Sequence, residues 1–73
     1  PTTTLKYDLD IQSDVNINIY DLNGRLIETL ISQNQAPGYY EIDWNGSKHS
    51  SGIYLVQYIF NNSKYNRKIT LLK

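Results

Sequence analysis

Glu41 and Asp43, two residues apart, are the closest approach in this sequence to a paired-carboxylate acid/base site. On a strand that spacing puts both on one face, opposite Tyr40, Ile42 and Trp44, and reads as a solvated polar face. His49 is the sole imidazole, and no Gly-x-Ser-x-Gly elbow accompanies it, so a nucleophilic triad has no material and His49 reads as an exposed loop residue. Asp8, Asp10 and Asp14, with Ser13 and Asn16, supply the oxygens that calcium wants, but without the Gly and Glu positions of an EF-hand loop. Turn chemistry accounts for them. The 4 glycines are scattered and form no phosphate cradle. Tyr20, Tyr39 and Trp44 are the residues to test for stacking on sugar rings, whereas Tyr7, Tyr40, Tyr54 and Tyr58 fall on apolar stripes where a ring fills a core. No catalytic residue, cofactor or metal ligand is assigned from these patterns.

The elements that carry these residues are short strands. Leu5, Tyr7 and Leu9 alternate with polar neighbours over residues 3–9, and Val15, Ile17 and Ile19 do so before Tyr20. Asn23-Gly24 then signals a hairpin, because both residues tolerate positive φ, and residues 25–31 return as a third strand. Leu22, Leu26, Ile27 and Leu30 also fit a helical period, but the Asn-Gly turn and the flanking strands favour a strand there. Residues 32–38 read as a loop that can cross between sheets, residues 39–45 as a fourth strand, and residues 47–51 as a second polar loop. From Gly52, Tyr54, Val56 and Tyr58 face one way and Ile53, Leu55, Gln57 and Ile59 the other, which suits a central strand. Residues 61–64 make a turn into the last strand, with Tyr65, Arg67, Ile69 and Leu71 on one face. Six or seven such strands predict an all-β, immunoglobulin-like antiparallel β-sandwich forming a single domain over residues 1–73.

With 73 residues, no Cys and one His, stability has to come from packing and strand pairing alone. The 7 Tyr, the many Ile and Leu and the single Ala suit strands and not a helical bundle. Seven basic residues balance seven acidic ones, and the signs read as interspersed along the chain. That excludes an electrostatic footprint for nucleic acid or an anionic membrane. No apolar run is long enough to span a bilayer, and no export signal opens the chain, so any such signal is expected upstream.

Five ordered blocks carry a resemblance. They are residues 1–9, opening Pro1-Thr2-Thr3, then Tyr20-Asp21-Leu22-Asn23-Gly24-Arg25 closing 15–25, Gly38-Tyr39-Tyr40-Glu41-Ile42-Asp43-Trp44, Ser51-Gly52-Ile53-Tyr54-Leu55-Val56, and Arg67-Lys68-Ile69-Thr70-Leu71-Leu72-Lys73. Together they resemble the C-terminal sorting domain of the type IX secretion system. Pro1 would fall just inside that family's Asn-Pro opening, and Lys73 would be the native C-terminus. The resemblance implies a seven-stranded immunoglobulin-like sandwich at the end of a larger exported cargo of the Bacteroidetes type. It implies transit through the periplasm to the cell surface or medium, with an outer-membrane translocon and a sortase-like peptidase as partners. The domain would be the substrate in that reaction and not an enzyme, with no cofactor, nucleic acid or membrane insertion. Matching positions are Asn23, Gly24, Ser51, Gly52, Ile53, Tyr54, Lys68, Ile69, Thr70, Leu71, Leu72 and Lys73, with recognition expected at the last two strands and an exposed strand edge. The sequence is also similar to the immunoglobulin-like domain of flagellar hook-capping proteins. A structural or carbohydrate-binding accessory module of a secreted enzyme is the other alternative.

Overall fold

The computed structural model describes residues 2–73; Pro1 lies outside them. Among the described residues six strands follow one another without a helix: β1 (Thr2–Leu9), β2 (Ser13–Tyr20), β3 (Leu26–Gln35), β4 (Gly38–Asn45), β5 (Gly52–Phe60) and β6 (Ser63–Leu71). All pairings are antiparallel, β1 with β4 in a two-stranded sheet and β3-β2-β5-β6 in a four-stranded one. The expectation of six or seven strands in a sandwich is met at six, and β5 is central, as its two apolar faces require.

Alternation decides what is buried. Leu5 and Leu9 from β1, Val15, Ile17 and Ile19 from β2, Trp44 from β4, Tyr54, Val56 and Tyr58 from β5, and Ile69 and Leu71 from β6 form one core between the sheets. Each set lies on one parity of its strand, so a one-residue slip would expose it. Trp44, fully buried, donates its indole N–H to Glu28 Oε1 at 3.1 Å, which ties β4 to β3.

The least regular strand is β3. Its register against β2 shifts between Ile17 and Asn18, where Leu30 is skipped, and again between Ile19 and Tyr20, where Ile27 is skipped. These bulges turn two adjacent residues toward the same side, so Ile27 and Glu28, then Leu30 and Ile31, are both half-buried. The helix-like spacing of Leu26, Ile27 and Leu30 is the imprint of a bulged strand.

Two connections are shorter than the sequence suggests. β3 runs on to Gln35, so the predicted loop over residues 32–38 shrinks to Ala36 and Pro37, which still cross from one sheet to the other. Gln35 is buried and its Oε1 accepts from the Tyr7 hydroxyl at 2.6 Å, so a polar residue ends a strand because a cross-sheet partner satisfies it. The predicted turn over residues 61–64 is a tight hairpin in which Phe60 pairs with Ser63 and Asn61 adopts φ 54°.

Candidate functional site

The resemblance-derived positions divide by what the fold does with them. Gly52, Ile53 and Tyr54 pair with Leu71, Thr70 and Ile69, and Leu55 pairs with Lys68. Two blocks far apart in sequence are thereby one hairpin end. Ser51 joins them, accepting at Oγ the backbone N–H of Lys73 at 3.1 Å, while Lys73 Nζ donates to the Ser47 carbonyl at 2.7 Å. Lys73 is thus clamped onto the loop that precedes β5.

Among the described residues β6 has a partner only on its β5 side, leaving its other backbone edge open. Ile69 and Leu71 anchor it to the core, whereas Lys64, Lys68 and Thr70 are exposed and Leu72, just past its end, is 76% exposed. An anchored strand with a free edge is a template for strand addition. Tyr54 is buried, donating its hydroxyl to the Ser50 carbonyl at 2.6 Å and meeting Trp44 edge-on with centroids 5.3 Å apart, so its side chain braces the loop and core.

Asn23 and Gly24 lie at the same end of the sandwich, because Tyr20 pairs with Leu55 just before the chain turns. Of the two turn residues that tolerate a positive φ, Gly24 takes one, 82°. The turn is organised by Asp21: Oδ1 accepts from the Asn23 and Arg25 amides at 2.9 and 3.0 Å, and Oδ2 pairs with Arg25 Nε at 3.0 Å. The Arg25 backbone N–H, together with the other bonds, holds the Asp21 carboxyl below its ordinary 3.8.

The other candidates also find places. Glu41 and Asp43 do share the exposed face of β4, where Asp43 accepts from the Thr4 hydroxyl at 2.7 Å. Asp14 is tied to the β5–β6 hairpin, its N–H donating to Asn61 Oδ1 at 2.9 Å and its carboxylate accepting from Asn34 at 2.8 Å. No cluster of three or more His, Cys, Asp or Glu able to hold a metal occurs among the described residues. His49 departs from its reading as an exposed loop residue: it is half-buried, its ring 5.7 Å from that of Trp44 and its Nε2 3.6 Å from Glu28 Oε1. Trp44 is fully buried and cannot stack on a sugar, whereas Tyr39 is 91% exposed.

Two features escaped the sequence reading. A Cβ on buried Gly46 would stand 2.6 Å from the Leu71 side chain, so this glycine leaves room for the end of β6 and does more than turn the chain. The charges are segregated and not interspersed: all seven carboxylates lie within residues 1–43 beside only Lys6 and Arg25, while residues 44–73 carry Lys48, Lys64, Arg67, Lys68 and Lys73 and no carboxylate. The halves are −5 and +5, and a zero total concealed a basic β6.

The geometry defines an all-β sandwich whose distinctive surface is a strand edge with a clamped, basic end. The family model for the secretion system C-terminal sorting domain matches residues 2–72, and the chain belongs to that family. It is therefore a sorting signal for type IX secretion, a system that exports the cargo carried in the same chain. No curated protein and no solved structure gives a significant match.

Proposed function

We propose that this domain is read by the outer-membrane translocon at the open edge of β6, and that a sortase-like peptidase then cuts it from its cargo. The observation that carries the reading is the β6 edge itself, unpaired along Ser63–Leu71, basic, and held to the core by Ile69 and Leu71. The recognition surface comprises Lys68, Ile69, Thr70, Leu71, Leu72 and Lys73, with Ser51, Gly52, Ile53 and Tyr54 fixing their geometry and the Asn23-Gly24 turn at the same end. The domain acts as substrate, passing through the periplasm to the surface or the medium, and carries no catalytic group of its own.

Residues 1–73 fused behind a periplasmic reporter in a type IX-competent host should deliver the reporter to the surface or medium. Periplasmic retention of a folded fusion defeats the proposal. Within that assay, Lys68→Glu combined with Lys73→Glu should lower export at least fivefold without lowering the melting temperature by more than a few degrees.

A second reading, a carbohydrate-binding accessory role, is favoured only by Tyr39, which stands exposed beside a groove of ≈ 410 Å³ that Tyr40 and Glu41 also line. Glycan-array binding that is lost in Tyr39→Ala would support it.

A further inference from the structure

The loop over residues 46–51 holds the end of β6 by three contacts. Gly46 leaves the space that the Leu71 side chain occupies, Ser51 Oγ accepts the Lys73 N–H at 3.1 Å, and the Ser47 carbonyl accepts from Lys73 Nζ at 2.7 Å. Within the loop the His49 N–H bonds back to the Gly46 carbonyl at 2.9 Å. That tight turn makes His49 and the residues touching Leu71 and Lys73 one unit, so whatever seats the His49 ring also seats the end of β6.

The ring lies 5.7 Å from that of Trp44 and 6.3 Å from that of Tyr54, and its Nε2 stands 3.6 Å from Glu28 Oε1, the oxygen that also accepts the Trp44 indole N–H. At that distance imidazole and carboxylate are within ion-pair range but too far apart for a hydrogen bond. A neutral ring gains little there, whereas a protonated one gains a charge-assisted bond to Glu28 and a favourable place beside the Trp44 ring. The surrounding charges do not compete. β4 brings Trp44, β5 brings the Tyr54 hydroxyl, which is used on the Ser50 carbonyl, Lys48 in the same loop is exposed, and Lys73 Nζ is held by Ser47. Glu28 on β3 is the ring's one ion-pair partner among the described residues. Imidazole is the side chain whose ordinary titration falls between pH 5 and 8, and His49 is the only one in the chain.

We propose that His49 is a proton-dependent latch on the end of β6: protonation draws its ring onto Glu28 and tightens the loop's hold on Lys73, and deprotonation loosens it. The inference rests on the reading of residues 68–73 as the recognised surface and adds its regulation, since Leu72 and Lys73 are held while the ring is charged and freed when it is neutral. The ion pair needs both charges. The hold is therefore present between the carboxylate and imidazole ranges, is lost as pH rises through the titration of the ring, and is lost again in strong acid once Glu28 is neutralised. Both side chains are partly exposed, which limits the effect to about threefold.

The test is amide exchange of the isotope-labelled chain, followed by NMR at about pH 5.5 and about pH 8 and corrected for the intrinsic rates. The Lys73 amide should be about threefold better protected at the lower pH, with a midpoint that coincides with that of the His49 ring protons. Glu28→Gln keeps an acceptor for the Trp44 indole and removes only the charge, so it should abolish the pH dependence and leave the protection of the parent at high pH. His49→Gln should do the same, and carries the decision if Glu28→Gln does not fold. Ser51→Ala should remove the protection at both pH values. Equal protection of Lys73 at the two pH values, a pH dependence that survives in either Gln variant, or protection that persists in Ser51→Ala overturns the proposal. No translocon enters this measurement, so a failed latch and a failed export assay are read separately.

Discussion

The Asp21 side chain holds two amides and a guanidinium in one turn. Because those bonds favour the carboxylate, its folded pKa is depressed, so its contribution is full above the ordinary Asp value of 3.8 and is lost as pH falls through the lowered one. Asp21→Asn should therefore have a lower urea midpoint than the parent at pH 7, and the two midpoints should converge in strong acid. Gly46 is constrained by contact and not by φ: a methyl group there meets Leu71, a side chain only 1% exposed and unable to move aside freely. Gly46→Ala should cost about 1–3 kcal/mol of unfolding free energy, in the range of overpacked cores. Its amide exchange should quicken most along β6.

At the scale of elements, the hairpin between β5 and β6 depends on Asn61, which combines a φ of 54° with side-chain bonds to the Asp14 amide and to Ser13 Oγ. Asn61→Gly keeps the backbone geometry and removes those bonds, whereas Asn61→Ala loses both. The expected losses are about 1 kcal/mol for Gly and about 2 kcal/mol for Ala, read from thermal or urea unfolding. The converse order would mean that the turn owes little to its left-handed residue. β3 shows the limit of pattern reading at this scale. Its two bulges merge period-two segments into spacing that also suits a helix, and only pairing with β2 reveals the skipped residues Ile27 and Leu30.

For the whole molecule, the sheets share one core, and Trp44, the only Trp, sits fully buried at their interface. Its fluorescence therefore reports docking of the β1–β4 sheet. Unfolding in urea should give the same midpoint by Trp44 fluorescence and by far-ultraviolet circular dichroism, as expected of a small two-state domain. An earlier fluorescence transition would mean that the smaller sheet detaches first. Stability on the order of 5 kcal/mol is expected for 73 residues without a disulfide. Among the described residues the two open sheets leave four free strand edges, on β1, β4, β3 and β6, and of these β6 is the basic one.

The strand class, the buried parity of β1, β2, β4 and β5, the two sheet-crossing and hairpin turns, and the family blocks were all legible in the sequence, because alternation and turn residues act within a few positions of one another. What the tertiary structure alone decided were the features that depend on which strands become neighbours. Pairing brought Ser51 to Lys73, room for Leu71 fixed Gly46, Glu28 drew in His49 and Trp44, and the two-over-four arrangement left Tyr65 and Arg67 facing inward yet uncovered. Local pattern specifies which way a side chain points; only the opposing sheet determines whether anything is there to meet it.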